Sequence, residues 1–357
     1  MKPGLAGIRS YVLGVVGALA RRSDIELSVV TSEPASFGDM GEAEIIPIPA
    51  WVRSFGGRAL WREAALGRMA ARTRADLVFV PFPELAARPL PVPSVVVVFD
   101  VGPLVAPALF TRAKRARFAL DQARVCRAAT RVVCVSNATL IALHGAVGVD
   151  PAKCEVIGAA AQHRLPPASR SGDGADPYVL YVGTLLAHKN VPTLVKAFSG
   201  EPSRRPRRLL LAGPATAAEG RTLDALVATL GVADRVEHRG WVPAEELALL
   251  YASAWAVAVP SLHEGYGLPV LEAMAAGAPV VASDIPSIRE VAGDAVAYVS
   301  RPLDPDGWRA ALGRLSDDPV ERASLARLGS EKALTYSWET VAEQLARLFR
   351  STIDGRS

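Results

Sequence analysis

Short valine-rich apolar runs alternate with longer amphipathic segments along all 357 residues, and this alternation constrains the fold more than any other feature. It indicates β-α-β units, in which helices bury both faces of a parallel sheet. Because the rhythm occurs in both halves of the chain, we predict an α/β protein with two doubly wound parallel-sheet domains. The predicted strands are Ile25–Thr31, Ala43–Ile48, Ala75–Val80, Ser94–Phe99, Arg131–Val135, Cys154–Ile157, Tyr178–Val182, Arg208–Ala212, Val236–Arg239, Ala254–Val259, Pro279–Ser283 and Ala295–Val299.

A polar segment separates the two halves. Arg164–Pro177 contains proline, glycine, serine and aspartate with few apolar side chains, a composition typical of a linker. We therefore predict one Rossmann-like domain over residues 1–165, a linker over 166–177 and a second domain over 178–336. We expect the helical segment 337–357 to pack back toward the N-terminal domain.

The first half opens without the strand that normally begins a doubly wound domain. A glycine-containing turn, Gly4–Gly7, leads directly into a helical segment, Ile8–Arg21. We expect the first strand to be missing from this chain, or the true start of the gene to lie upstream of Met1. A strand missing from mid-sheet leaves two unpaired edges, which proteins normally avoid.

Composition narrows the classes of function. Tyr11–Ala20 is the longest near-apolar run and is too short to span a bilayer. Three cysteines without paired spacing predict neither a disulfide framework nor a zinc site. The modest net charge of +4 and the sparse aromatic residues give no sign of nucleic-acid binding. We expect a cytoplasmic protein that uses no metal.

The basic helical segment 111–131 has two interpretations. It carries arginines and a lysine among apolar side chains, so it predicts either a solvated helix face or a patch for anionic lipid. In the second case each nearby cation would contribute ~1 kcal/mol, and the protein would lie peripherally on the inner face of the membrane. Its cations are Arg112, Lys114, Arg115, Arg117, Arg124, Arg127 and Arg131.

The most informative motif reads Glu-Gly-Tyr-Gly-Leu-Pro-x-x-Glu from Glu264 to Glu272. Gly265 and Gly267 permit backbone conformations closed to other residues, and Pro269 favours the first turn of a helix. The motif therefore predicts a loop that carries Glu264 and a helix that carries Glu272. The amides and dipole of a helix start favour an anion, and a carboxylate accepts two hydrogen bonds from a diol. This pattern suits a ligand with both phosphates and hydroxyls.

This stretch resembles the donor-binding signature of the family 4 retaining glycosyltransferases, especially mannosyltransferase-like members. That family has the GT-B fold, in which two doubly wound domains face a cleft. The likeness covers nearly all of the C-terminal half and extends more loosely to the N-terminal half. The further segments that carry it are Tyr178–Thr184 with Lys189-Asn190, Leu209–Gly213, Gly240–Pro243, Ser283–Pro286, Ser337–Glu339, Gly7–Tyr11 and Val133–Asn137.

The resemblance implies that the C-terminal domain binds the donor and the N-terminal domain binds the acceptor. Glu264 and Lys189 would be catalytic, the first beside the sugar hydroxyls and the second beside the departing diphosphate. Glu272 would bind the ribose hydroxyls, and the backbone of Val242 would face the base. The remaining donor-side positions are Gly183, Thr184, His188, His263, Gly265, Tyr266, Gly267 and Leu268, and the acceptor-side positions are Gly7 and Asp100.

Three positions depart from the family pattern. His188 stands where an arginine is common, which predicts a weaker or pH-dependent cation beside the diphosphate. Phe99 stands before Asp100 in place of a histidine that could contact the transferred sugar. Gly158–Ala160 replaces the usual Asn-Gly turn. The departures near Phe99 and Gly158–Ala160 predict altered acceptor binding.

The resemblance implies a metal-independent hexosyltransferase of polysaccharide biosynthesis. It would move a hexose, with GDP-mannose as the expected donor and UDP or dTDP sugars as alternatives. The acceptor would be a glycan, a lipid-linked glycan or a small-molecule hydroxyl, and the sugar nucleotide would be a co-substrate without any cofactor. The alternative is a glycosyltransferase-like subunit that binds sugar nucleotide with little or no turnover. A third interpretation is a phosphorylase or sugar-phosphate synthase with the same fold. The sequence shows no lysine-containing loop that would hold a pyridoxal cofactor, and nothing specific supports this interpretation.

Overall fold

The chain folds into two α/β units. One comprises Ile8–Ala159 and Ser337–Ser357, and the other comprises Met1–Gly7 and Ala160–Tyr336. We call them the N-terminal unit and the C-terminal unit. The predicted linker, 166–177, lies outside the described residues except for Pro177. The computed structural model describes residues 6–38, 40–82, 85, 90–106, 108, 110–162, 177–199 and 208–355.

All the predicted strands occur, most of them shorter than predicted. The strands are β1 (Ser28–Thr31), β2 (Glu44–Pro47), β3 (Val78–Val80), β4 (Ser94–Val98), β5 (Arg131–Cys134), β6 (Cys154–Val156), β7 (Tyr178–Val182), β8 (Arg208–Ala212), β9 (Val236–Gly240), β10 (Ala256–Val259), β11 (Val280–Ser283) and β12 (Ala297–Val299). The helices are α1 (Ala6–Ala20), α2 (Phe55–Arg72), α3 (Gly102–Val105), α4 (Arg112–Ala128), α5 (Asn137–Val147), α6 (Val191–Ala197), α7 (Ala217–Leu230), α8 (Ala244–Ser253), α9 (Leu268–Ala275), α10 (Pro286–Ala292), α11 (Pro305–Asp317), α12 (Pro319–Ala333) and α13 (Trp338–Asp354).

The strands of the N-terminal unit form two separate parallel sheets. β1 pairs with β2, and β3 through β6 pair in chain order. Residues 1–5, which precede α1, lie outside the described residues, so the missing first strand stays a prediction. Consecutive strands joined by a crossover helix normally lie side by side in a sheet. A strand preceding α1 would therefore pair with β1, at the gap between the β1-β2 sheet and the β3-β6 sheet.

The C-terminal helix α13 belongs to the N-terminal unit, where it packs against α1. The ring of Trp338 lies edge-on to Tyr11, with 5.7 Å between centroids. Gly14 leaves room for the indole, because a Cβ at that position would lie 2.2 Å from the Trp338 ring. An ion pair of 2.8 Å between Arg21 and Glu339 joins the same two helices at the surface.

The C-terminal unit contains one parallel sheet in the order β12-β11-β10-β7-β8-β9. Its central strands are apolar and buried on both faces, as the valine- and leucine-rich runs predicted. The strand order reverses between β7 and β10. In sheets of this kind ligands bind outside the carboxyl ends of the strands at such a reversal. The fold therefore directs attention to the loops that follow β7 and β10.

The packing of α1 predicts opposite outcomes for two glycines in the same helix. Gly14→Ala should lower the free energy of unfolding by about 1–3 kcal/mol, because the new methyl group overpacks against Trp338. Gly17→Ala is the matched control, since a Cβ there comes no nearer than 3.8 Å, to the Arg21 side chain. Alanine at this position should be neutral or stabilise by up to ~1 kcal/mol. Urea unfolding measures both, and equal stabilities would contradict this packing.

Candidate functional site

The predicted loop and helix lie directly after β10. Glu264 is on the loop, α9 begins at Leu268, and Glu272 follows within α9. Gly267 precedes the helix with φ of 107°, a conformation that strains other residues. Gly265 is not among the residues with positive φ, so the conformation that both glycines permit occurs at Gly267 and not at Gly265. The chain bends at Gly265 and Tyr266, and Gly265 is buried.

The two predicted catalytic side chains form an ion pair. Lys189 Nζ lies 2.6 Å from Glu264 Oε1, and the Ser261 hydroxyl donates a 2.7 Å hydrogen bond to the same oxygen. Only 17% of the Lys189 side chain and 11% of the Glu264 side chain are exposed. In such partly buried surroundings water screens the attraction less than at an open surface. The pair therefore holds a cation and a carboxylate beside the α9 helix.

The loop after β7 is packed closely onto its neighbour. Gly183 has φ of 152°, and a Cβ there would lie 2.7 Å from the Tyr181 hydroxyl. That hydroxyl donates a 2.5 Å hydrogen bond to the Thr184 carbonyl, which ties the loop after β7 to the strand itself. Gly213, after β8, lies so close that its Cβ would be 1.9 Å from the Gly183 carbonyl oxygen. Side chains are thus excluded where these loops meet.

Glu272 has a different environment from Glu264. The buried hydroxyl of Tyr251, on α8, donates a 3.0 Å hydrogen bond to Glu272 Oε2. Burial raises the pKa of the Glu272 carboxyl to about 7, although the Tyr251 hydrogen bond opposes the shift. Sequence reasoning missed Tyr251, because a tyrosine within an apolar helix is typical of an ordinary core residue. No local spacing links it to Glu272.

The remaining donor-side positions lie in the same unit. His188 and Lys189 belong to a 3-10 turn after β7, and the His188 carbonyl accepts a 2.8 Å hydrogen bond from the Leu262 amide. Val242 lies in the loop after β9, and its neighbour Trp241 is 70% exposed. The other residues on the β10 loop are His263, which is partly buried, and Tyr266, which is buried. The loops after β7, β9 and β10 therefore carry the predicted donor-binding residues, except for Leu268 and Glu272, which lie in α9.

The two acceptor-side residues fall into different units. Asp100 follows β4 in the N-terminal unit, and its Oδ1 accepts a 2.5 Å hydrogen bond from the Gly102 amide at the start of α3. Beside it, Phe99 packs edge-on against Tyr11, with centroids 4.8 Å apart, and so contributes an aromatic core contact. Gly7 is grouped with the C-terminal unit, where a Cβ on it would lie 3.4 Å from Leu268 Cδ1.

Helix α4 carries the basic segment. Arg117 lies 3.9 Å from Asp121, Arg124 lies 3.4 Å from Glu63, and Leu120 is 69% exposed. The ion pairs suit a solvated face, and the lipid contact stays a prediction. No helix among the described residues has the length and apolar character needed to cross a membrane.

The cysteines show no metal-binding arrangement. Cys126 and Cys134 are buried, and burial raises the pKa of the Cys126 thiol to about 11. The partly exposed Cys154 thiol donates to the Asp150 carbonyl at 3.5 Å. Within the described ranges, no group of three or more His, Cys, Asp or Glu side chains could hold a metal ion.

Two sequence-family models match the chain. The model of Glycosyltransferase Family 4 matches residues 5–160, and the model of Glycosyl transferases group 1 matches residues 168–332. Between them the two matches take in most of both halves of the chain.

Curated relatives match over parts of their length. O-antigen chain mannosyltransferase B of Escherichia coli is 37% identical over 175 residues, which are 48% of this chain and 45% of that protein. D-inositol 3-phosphate glycosyltransferase of Kineococcus radiotolerans is 31% identical over 264 residues, which are 67% of this chain and 61% of that protein. The matches therefore span less than two thirds of each relative.

Solved structures match over nearly the whole chain. Sucrose-phosphate synthase from Thermosynechococcus elongatus superposes with a TM-score of 0.75 at 21% identity, covering 97% of this chain and 93% of that one. Anabaena Alr3699/HepE in complex with UDP and glucose gives a TM-score of 0.74 at 20% identity, covering 98% of both chains. At these identities the likeness shows the fold alone. The chain is thus similar to family 4 glycosyltransferases in its first half and to group 1 glycosyltransferases in its second half, and it has the GT-B fold.

Proposed function

We propose that this protein is a retaining glycosyltransferase that binds a nucleoside diphosphate sugar in its C-terminal unit and transfers the hexose to an acceptor hydroxyl. The observation that carries the proposal is the ion pair between Lys189 and Glu264, beside the start of α9, at the reversal of strand order. Eight residues further on, Glu272 supplies a second carboxylate, which is buried and hydrogen-bonded to the Tyr251 hydroxyl. A cation, a helix start and two carboxylates suit the phosphates and hydroxyls of a sugar nucleotide.

Each group has a distinct role in this proposal. Lys189 and the backbone around Tyr266–Leu268 bind the diphosphate, because a lysine and a helix start both favour negative charge. Glu264 accepts hydrogen bonds from sugar hydroxyls near the anomeric carbon. Glu272 accepts two hydrogen bonds from the ribose diol, and the backbone of Val242 faces the base.

The proposed chemistry needs no nucleophilic side chain. The acceptor oxygen attacks the anomeric carbon from the face on which the bond to the β-phosphate breaks, so the configuration is retained. The departing phosphate oxygen takes the acceptor's proton. Lys189 stabilises the negative charge that develops on the diphosphate, and no metal ion is required.

The donor and the acceptor are proposed by analogy. Two relatives carry the name mannosyltransferase, the protein of Escherichia coli and an MMP alpha-(1->4)-mannosyltransferase of Mycolicibacterium hassiacum, which favours GDP-mannose. The HepE complexes contain UDP, so UDP sugars are the next donors to test. We propose a glycan, a lipid-linked glycan or a small-molecule hydroxyl as acceptor, within polysaccharide biosynthesis in the cytoplasm.

One observation favours the alternative of a subunit that binds sugar nucleotide with little turnover. Phe99 occupies the position of a histidine that could contact the transferred sugar, and its ring is engaged with Tyr11. The phenyl ring of Phe99 has no nitrogen atoms and cannot form the hydrogen bonds that the imidazole of a histidine provides.

Turnover of GDP-mannose and UDP-glucose separates the two proposals. We expect the wild-type protein to release nucleoside diphosphate, and Lys189→Ala to lower kcat by roughly 10²-fold, as for loss of one group that stabilises the departing charge. Lys196 is an exposed lysine on α6, so Lys196→Ala is the matched control and should retain wild-type kcat.

An EDTA-treated sample should react at the untreated rate. Tight binding without product would favour the subunit, and loss of turnover with EDTA, restored by manganese, would defeat the metal-free mechanism.

The environment of Glu272 predicts how donor affinity depends on pH. Ribose hydroxyls prefer the ionised carboxylate, so affinity for GDP-mannose should rise between pH 6 and pH 8, through the pKa of about 7. GDP-mannose suits the test because its diphosphate is esterified at both ends and therefore does not itself change protonation between pH 6 and pH 8. Glu272→Gln should weaken binding at pH 8 by about 1.5–3 kcal/mol and flatten this part of the profile. Calorimetry measures both.

The free energy of unfolding of Glu272→Gln shows whether a loss of donor affinity could come from a loss of folding. Because folding raises the pKa of Glu272 from 4.5 to about 7, the folded state binds more protons between these values, and stability falls as pH rises through that window. Glu272→Gln should therefore be at least as stable as wild type at pH 8. An unchanged affinity and pH profile in a folded variant would show that Glu272 does not bind the donor.

A further inference from the structure

We infer that Asn190 is a positioning residue that holds Lys189 against Glu264 by tying together the loops at the carboxyl edge of the C-terminal sheet. The inference deepens the proposed function, because it concerns the two side chains assigned to the departing diphosphate and the sugar. Asn190 directly follows Lys189 and is only 5% exposed.

The backbone of Asn190 has an unusual conformation. Its φ of 55° and ψ of 29° lie in the left-handed region, which Asn190 and Arg74 alone occupy among the described non-glycine residues. Glycine adopts this conformation without strain, and asparagine tolerates it better than most residues. Glycine at this position could therefore form the same turn. Any additional role of Asn190 must come from its side chain.

That side chain joins three segments. Its Nδ2 donates hydrogen bonds to the Pro260 carbonyl at 3.1 Å and to the Pro302 carbonyl at 2.7 Å. Its Oδ1 accepts a 2.7 Å hydrogen bond from the Thr193 hydroxyl on α6. Both amide hydrogens and the carbonyl oxygen are thus engaged. Pro260 follows β10 and Pro302 follows β12, so one buried amide spans two strand ends and a helix.

The anchor on the β12 side is itself fixed. Trp308 is fully buried, and its Nε1 donates a 3.0 Å hydrogen bond to the same Pro302 carbonyl. Asn190 therefore connects the β7 loop to a point that the core of the unit already holds. Buried hydrogen bonds of this kind are costly to break, because the freed carbonyls would lack a partner.

Both members of the catalytic ion pair depend on this connection. Lys189 is bonded covalently to Asn190, and Glu264 lies on the loop that begins at Pro260. A second link runs from the Leu262 amide to the His188 carbonyl at 2.8 Å. With the amide of Asn190 removed, the β7 loop would lose its hydrogen bonds to the Pro260 and Pro302 carbonyls, while the hydrogen bond between Leu262 and His188 would remain. The geometry of the pair should then loosen, whereas the fold of the sheet should persist.

Lysine acylation tests this inference without any sugar nucleotide. An amine in a partly buried ion pair reacts slowly with acetic anhydride, and exposed Lys196 on α6 is an internal standard in the same protein. In Asn190→Gly the rate for Lys189, relative to Lys196, should rise by about fivefold or more, a typical coupling between residues in contact. Thr193→Val should change it less, because both carbonyl contacts of Asn190 remain.

An unchanged relative rate in Asn190→Gly would overturn the inference. If that variant does not fold, Asn190→Ser serves in its place, because its shorter side chain cannot span both carbonyls. A wild-type protein without turnover would defeat the proposed function and would leave the acylation result to decide the role of Asn190.

A double-mutant cycle with turnover gives a readout that a merely structural role would not produce. If Asn190 acts through Lys189, kcat of Asn190→Gly combined with Lys189→Ala should be close to that of Lys189→Ala alone. Losses that multiply independently would mean that Asn190 does not position Lys189.

Discussion

The parallel pairing of β7 with β10 is the constraint on which the candidate site depends. Val179 and Leu180 of β7 lie beside Ala256 and Val257 of β10, so both strands end at the same edge of the sheet. Their loops then approach closely enough for Lys189 to meet Glu264 although 75 residues separate them. Gly183 and Gly213 allow the loops after β7 and β8 to approach closely. The Asn190 side chain bonds the loop after β7 to the Pro260 carbonyl at the end of β10. The ion pair is thus a consequence of sheet topology as much as of local sequence.

The two carboxylates of the site have opposite electrostatic environments. Glu264 is partnered by the Lys189 ammonium and the Ser261 hydroxyl. Glu272 accepts a hydrogen bond from the Tyr251 hydroxyl, and burial raises its pKa to about 7. Titratable groups whose environments differ in this way are frequent at functional sites. Under the proposed function, the sugar would meet a carboxylate paired with Lys189, whereas the ribose would meet one that titrates near neutral pH.

Sequence reasoning succeeded where the chemistry is local. Alternating apolar runs gave the strands, and Gly267 with Pro269 gave the loop and helix start, because those residues restrict their own backbone. It failed for contacts made by the tertiary fold. Tyr251 reaches Glu272 from another helix, and Asn190 bonds to Pro260 and Pro302, 70 and 112 residues away. Neither contact has a fixed spacing in the sequence. Gly265 does not adopt the positive φ that glycine permits, although the chain bends there, and only Gly267 of the two glycines does so.

Hydrogen–deuterium exchange on adding GDP or UDP tests most directly whether the loops after β7, β9 and β10 form one nucleotide site. The account predicts slower exchange in peptides covering 183–190, 240–243 and 262–272, since a bound diphosphate and ribose would contact all three loops at once. Peptides from the N-terminal unit, such as α4, should exchange at the same rate with and without nucleotide. Protection confined to regions outside these loops, or none with either nucleotide at saturating concentration, would contradict the account.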